Sequence, residues 1–336
     1  MRLGAGKRRN GIRAVFAVLI LALALAAVMP MAAVAAEEKP ASVQNMTVLL
    51  NGEEVTVSDA WRVKDDRLYA PIGHLADLFG AEIEWDPVNR EAALVTTLGD
   101  RIVLGDGVPV VYFNEARYLL TAPPFLADGR MYVPVRDGAE MMHAQVAWDE
   151  ETRTVNLAAV PPVAVTEETD VAAILEQNGL SEADLLKRNG LSQADEIRPG
   201  TTLRVAQPSF LAREAEPYTE ADFELLAKLV QVEAGDEPYE GQLAVANVVL
   251  NRVKDLRFPN TIRDVIYAGK QFPPAHNGLL DKSVPEATAW RAAKDALNGK
   301  NNIGDAVYFY NPKVTKGKFW DSLTVVATIG SHRFAK

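Results

Sequence analysis

Glu233 is a carboxylate standing where its surroundings ask for a core residue. Phe223, Leu226, Ala227, Val230, Glu233 and Ala234 recur at steps of three and four and therefore share one face of a helix. A carboxyl group on such a face loses hydration, which penalises its charged form, so its pKa should rise. A carboxylic acid that keeps its proton near neutral pH can protonate a leaving oxygen, as the cleavage of a glycosidic bond requires. The competing reading is a Glu paired with a nearby Arg or with capping amides, because ion pairs that only hold a fold also perturb pKa. Spacing alone leaves both open.

Other chemistries fit the chain poorly. It has no cysteine and four histidines, at positions 74, 143, 276 and 332, with no H-E-x-x-H pair among them. There is no G-x-S-x-G elbow and no glycine-rich phosphate loop. The formal charge is -10, a poor balance for binding nucleic acid.

The elements that must position Glu233 are readable around it. Thr219-Glu220-Ala221-Asp222 is a capping-box pattern with Asp in the Glu/Gln place, so a helix starts there. Gly235 is expected to end it in a left-handed conformation. A second helix should follow at once, with Asp236 as N-cap, Pro238 in its first turn and Ala244, Val245, Val248, Val249 and Val253 on its buried face. Further helices are expected over Thr261–Ala268 and Pro285–Asn298. The aromatic and β-branched stretches Ala306–Pro312 and Thr324–Phe334 predict short strands that close one side of a cleft.

Towards the N-terminus, Arg2, Lys7, Arg8, Arg9 and Arg13 precede the apolar run Ala14–Met29 and an A-x-A site at Ala33-Val34-Ala35. This is the pattern of a secretory signal peptide over 1–36, so the chain is expected to be exported. The run is shorter than the ~20 residues of a spanning helix. Removal would take away five cations and no acid, moving the charge from -10 to -15. After a polar linker, Val43–Ala159 reads as β-rich with an internal repeat. Asp66–Pro71 recurs as Gly129–Pro134, and Ile83–Asp86 as Val146–Asp149, both displaced by 63 positions. Each unit should hold a strand ending in Pro, a short helix (Ile72–Phe79, Arg136–Met142) and a hairpin (Glu82–Trp85 with Glu91–Thr96, Gln145–Trp148 with Thr152–Leu157). His74 and His143, one per unit, are expected at surface or half-buried helix positions. Val163–Val205 reads strand, helix (Val171–Asn178), helix (Glu182–Asn189), strand, and Gln207–Pro217 reads as a linker.

The repeat region, chiefly "DGRMYVPVRDGAEMMHAQVAWDEETRTV", resembles the copper amine oxidase N-terminal-like domain, a repeat module of exported surface proteins. With only His74 and His143, off any ligand spacing, the name implies no copper here. The segment "NGL…IRPGTTLRV" resembles a LysM peptidoglycan-binding module, although Glu168-Thr169-Asp170-Val171 stands where the family has Gly-Asp-Thr-Leu. "VEAGDEPYEGQLAVANVVLNRV", "QFPPAHNG", "AVYFYNP" and "IGSHRFAK" together resemble the SleB-like cell-wall hydrolases, the spore cortex-lytic enzyme family.

That resemblance implies a lysozyme-like, α-rich (α+β) catalytic domain over 218–336, with Glu233 as the catalytic acid. The substrate implied is peptidoglycan, cut at the β-1,4 bond after N-acetylmuramic acid by a lytic transglycosylase or a muramidase. A transglycosylase needs one carboxyl group, acid and then base. A hydrolysing muramidase usually needs a second, for which Asp236, Glu237 and Glu240 are available, although acids are favoured at a helix start anyway. Gln242, Gln271, Phe272, Tyr308, Tyr310, Asn311 and His332 are expected around Glu233 as groove or orienting residues, since aromatics stack on sugars and amides bond acetamido groups. "QFPPAHNG" departs from the family's Ser-Pro-Val after Gln-Phe. His276 and Trp320 are expected to be structural.

The fold class expected is thus multidomain: a β-rich α+β repeat domain (43–159), a small βααβ LysM-like module (163–206) and the catalytic domain. No metal or organic cofactor is required. The expected partners are peptidoglycan and, through the repeat domain, surface or spore-coat proteins. The location is the cell wall or spore envelope, and no oligomeric state is implied. The alternative is a non-catalytic peptidoglycan-binding or scaffolding protein.

Overall fold

The computed structural model describes residues 40–43, 45–57, 60–269 and 271–336. The signal peptide expected at 1–36 lies outside the described residues. The described residues form one compact unit, within which a β-rich N-terminal part precedes a helical C-terminal part.

The 63-residue displacement is a pseudo-twofold in three dimensions. Strand Arg67–Pro71 runs antiparallel to its equivalent Arg130–Pro134, with Tyr132 opposite Pro71, Val133 opposite Ala70 and Pro134 opposite Tyr69. The register exchanges equivalent residues about Ala70 and Val133, and both of these are fully buried. The turns before the two strands match as well. Asp65 and Asp66 have φ 49° and 57°, Asp128 and Gly129 have φ 49° and 75°, and two positive φ values in succession give a turn whose twist suits a hairpin. Each strand hands its Pro to a short helix, α1 (Ile72–Phe79) and α2 (Val135–Met141). Each helix leads into a hairpin, 82–86 with 91–95 and 144–149 with 154–159. Both hairpins turn on an Asp whose Oδ1 accepts two backbone N–H groups, Asp86 from Val88 and Asn89, Asp149 from Glu151 and Thr152. Further strands at 101–105, 110–113 and 116–119 extend the first hairpin into a five-stranded sheet.

Both repeat-domain histidines depart from expectation, since both are buried. His74 lies within 3.4 Å of the Trp61 indole nitrogen. His143 has φ 59° just past α2, which turns its ring inward, 2.9 Å from Asp100.

The small module pairs strand Val163–Ala164 with Thr202–Leu203 across α3 (Val171–Asn178) and α4 (Glu182–Asn189), around a core of Val165, Ile174, Leu185, Leu203 and Val205. It is fastened to the repeat domain through Asp100. That carboxylate is fully buried and accepts from the two terminal guanidinium nitrogens of Arg188 (2.6 and 3.2 Å), from Asn114 (2.7 Å) and from Arg204. Burial alone would raise the pKa of Asp100, but hydrogen bonds from His143 and Arg188 outweigh it and hold the group well below the usual carboxylate range.

The stretch 207–217, read as a linker from its Pro and charge content, is packed instead. Phe210 is buried in the repeat-domain core with its ring 5.4 Å from that of Phe113, and Leu119 donates its N–H to the Arg213 carbonyl. Aromatic burial here overrides the composition signal.

In the C-terminal part α5 (Glu220–Ala234) starts on the expected capping box, Thr219 and Asp222 each accepting from the other's N–H. Next, α6 (Tyr239–Lys254) is buried at every position from Gly241 to Val249, the signature of a central helix. Against it pack α5, α7 (Ile262–Tyr267) and α9 (Ala287–Leu297), while α8 (Leu279–Lys282) packs on α5, and α10 (Lys318–Ser322) follows. Strands 308–310, 332–335 and 325–329 form a sheet in that order.

Candidate active site

Glu233 lies in the last turn of α5, between Val232 and the buried Ala234. Its Oε1 is buried without a hydrogen-bond partner, and no ion pair includes it among the described residues. Burial therefore acts unopposed and pushes its pKa up to about 7. The alternative of a Glu neutralised by an Arg or by capping amides does not describe this side chain.

The turn after Glu233 is built differently from expectation. Gly235 has φ -57°, ψ -33° and not the left-handed conformation. Glycine is required there by contact, since a Cβ would lie 2.4 Å from the Gln231 side chain and 2.5 Å from its carbonyl oxygen. Asp236 is not the N-cap of α6; Pro238 holds that position.

Gln242, expected as a groove or orienting residue, is buried. Its Nε2 donates to the Gly235 and Glu237 carbonyls (3.3 and 3.0 Å). It fixes the loop that follows Glu233. Phe272, expected in the groove, is fully buried, 6.3 Å from the Phe309 ring. A side chain with no exposed face cannot stack on a sugar, so Phe272 belongs to the core. Tyr310 is also buried and packs on Trp320 at 5.0 Å. Tyr308 is half-buried between Phe258 and Phe319, with ring centroids at 6.2 and 5.5 Å. Gln271 is exposed. Asn311 spends its Oδ1 on the Lys313 N–H at 2.9 Å, which makes it a turn residue.

His332 is brought to the α5–α6 turn. Its Nδ1 lies 3.5 Å from Glu237 Oε1, beyond hydrogen-bonding reach, and is buried without a partner. Burial lowers its pKa, so the ring is a neutral imidazole near pH 7. Of the three acids considered as a second carboxylate, Glu237 is engaged. It accepts from the Ser331 N–H (3.1 Å) and from the Ser331 hydroxyl. Burial would raise its pKa, yet those two bonds outweigh it and leave the group below its ordinary value. Asp236 and Glu240 are exposed.

Arg252 was not anticipated. Its guanidinium is buried 5.1 to 5.9 Å from the rings of Phe258, Phe272 and Tyr308, and its Nε donates to the Val307 carbonyl at 2.7 Å. Burial lowers its pKa to about 10. The sequence signal was the single cation in an otherwise apolar face of α6. Among the described residues no group of three or more His, Cys, Asp or Glu side chains is arranged to hold a metal ion.

Comparison with known proteins matches two stretches of the chain. Residues 236–335 match the cell wall hydrolase family, beginning three residues after Glu233, and residues 49–157 match the copper amine oxidase N-terminal domain. A spore cortex-lytic enzyme of Bacillus cereus is 35% identical over 148 residues, 41% of this chain and 57% of the relative. Another, of Halalkalibacterium halodurans, is 41% identical over 118 residues, 35% of each chain. The chain thus spans less than two thirds of the length of these relatives. The solved catalytic domain of the germination-specific lytic transglycosylase SleB from Bacillus anthracis is 37% identical, covering 36% of this chain and 98% of that one, with a TM-score of 0.34.

Proposed function

Starting from a chain that carries a cell wall hydrolase domain behind a copper amine oxidase N-terminal domain, we propose an exported enzyme that cleaves peptidoglycan strands after N-acetylmuramic acid. Glu233 is its acid and then its base. The observation that carries this reading is the half-buried Glu233 side chain, whose Oε1 is buried without a partner and whose pKa is pushed up to about 7. Half of such a group is protonated at neutral pH, which suits both proton transfers of one cycle.

Protonated Glu233 gives its hydrogen to the glycosidic oxygen as the C1–O bond breaks. The 6-hydroxyl of the same muramic acid then attacks C1 and returns a proton to the Glu233 carboxylate. This route needs no water and no second free carboxylate. Glu237, the nearest acid in sequence with any burial, is committed to Ser331, which favours the transglycosylase over the hydrolysing muramidase. The module at 163–206 serves as a LysM-like glycan holder, and the site of action is the cell wall or spore envelope.

Mass spectrometry of products from purified peptidoglycan tests this, with the unmodified chain and Glu233→Gln side by side. Anhydro-muramyl ends that disappear in the variant are expected. Reducing muramic ends would turn the assignment to a muramidase. No product from the folded chain would leave the scaffolding protein.

A further inference from the structure

The two repeats build two equivalent clefts, and these differ in charge. One, of about 400 Å³, is lined by Pro71, Ile83, Trp85 and Ala92 together with Met131 from the other repeat. The second, of about 640 Å³, is lined by the residues 63 positions away: Pro134, Val146, Trp148 and Val155, with Leu68 from the other repeat. Both volumes lie in the range of ligand cavities, ~300–1,000 Å³. Each cleft presents an exposed tryptophan, Trp85 at 42% and Trp148 at 50%.

Of the charged residues only Arg67 and Arg130 follow the symmetry. The Trp148 cleft holds Arg67, Arg136 and Arg153 against Asp66 alone. All three arginines are exposed, and none forms an ion pair among the described residues. The Trp85 cleft holds Asp77 and Glu84 against Arg130. On a chain with 45 acids and 35 lysines and arginines, three unpaired arginines around an exposed indole form a local reversal of sign. An indole face stacks on sugar rings, and guanidinium forks take carboxylates in pairs.

We propose that the Trp148 cleft is a binding site for a carboxylate-bearing glycan, the peptidoglycan strand itself, separate from the Glu233 site. Trp148 stacks on a sugar ring, while Arg67, Arg136 and Arg153 hold the carboxylates of the lactyl and peptide substituents. The Trp85 cleft keeps the same frame without the positive rim and does not bind this polymer. This assignment rests on the glycan being the chain's substrate.

The test uses the full chain carrying Glu233→Gln, so that the polymer is not consumed, sedimented with insoluble peptidoglycan. Adding Trp148→Ala, or Arg67→Gln with Arg153→Gln, is expected to weaken binding about ten-fold, whereas Trp85→Ala changes it less than about two-fold. Amidating the polymer's carboxylates should bring the parent down to the level of the arginine variant. Unchanged binding by Trp148→Ala, or equal losses at Trp148 and Trp85, overturns the proposal and leaves the surface to a protein partner. Product release from short soluble glycan, measured with Glu233 intact, separates the two readings. Absence of products beside Trp148-dependent binding removes the enzyme alone. Turnover beside Trp148-independent binding removes this cleft alone.

Discussion

Asp100 and Glu233 are both carboxyl groups withdrawn from water, Asp100 wholly and Glu233 in part, and their surroundings send them in opposite directions. Asp100 is fully buried at the seam between the repeat domain and the small module, yet Arg188, Arg204, His143 and Asn114 surround it and keep it ionised. Glu233 is less buried and has nothing, so it holds its proton to about pH 7. Burial by itself therefore does not mark a reactive acid. A buried acid left without partners does, because the fold gains nothing from leaving it so.

The largest effect that sharpens this contrast is chemical. Glu233→Gln keeps the shape and removes the proton donor, so product release should fall ~10²–10⁴-fold, the usual worth of a general acid, with the thermal midpoint maintained or raised. A variant that keeps a tenth of the activity would place the acid elsewhere.

Asp100→Asn should do the reverse. It leaves the Arg188 guanidinium buried opposite a neutral amide, and breaking a buried pair costs ~3–5 kcal/mol. Urea denaturation would show the loss. Turnover of short soluble glycan per folded molecule should stay within about two-fold, because nothing in the Asp100 network touches Glu233. If this variant lost turnover without losing stability, the small module would be acting on the helical C-terminal part.

The two groups also give stability opposite slopes against pH. For Glu233 the folded pKa, about 7, lies above the ordinary 4.5. Its neutral form is favoured by folding, so its contribution is complete below pH ~4.5 and is lost as pH rises through ~7. The unmodified chain should therefore lose ~1–3 kcal/mol relative to Glu233→Gln between pH 5 and 9. Activity should fall over the same upper limb as the acid form disappears. For Asp100 the folded pKa is depressed. Its contribution is present above the unfolded value near 4 and is lost only as pH falls towards the folded one. Parallel pH profiles for Glu233→Gln and the parent would mean that Glu233 is ionised in the fold.

How much of this was legible follows from the range of the signals involved. The capping box at Thr219, the helices at 72–79, 171–178 and 182–189 and the 63-residue repeat are local patterns, and they stand where the spacing places them. The apolar face that isolates Glu233 is likewise written at steps of three and four. What was not legible depends on residues far apart in sequence. His143 looked peripheral because its partners, Asp100 and Arg188, lie 43 and 45 positions away. Phe272 looked like a groove aromatic because no local pattern shows that Phe309 will cover it. Gly235 was assigned the commoner reason for a glycine at a helix end, when the reason lies in Gln231 one turn back.

The smallest predicted effect concerns the carboxylate nearest to Glu233 in sequence that the fold does employ. Glu237 is bound to Ser331 at the turn between strands 325–329 and 332–335, and at Gly330 a Cβ would meet the Glu237 carboxylate directly. Ser331→Ala removes the hydroxyl donor but leaves the backbone N–H, so it should cost about 1 kcal/mol and lower turnover less than about three-fold. A loss as large as that of Glu233→Gln, together with reducing rather than anhydro product ends in the parent, would make Glu237 a working partner in hydrolysis. A small loss with anhydro ends keeps Glu237, like Asp100, among the acids this fold uses to hold itself together.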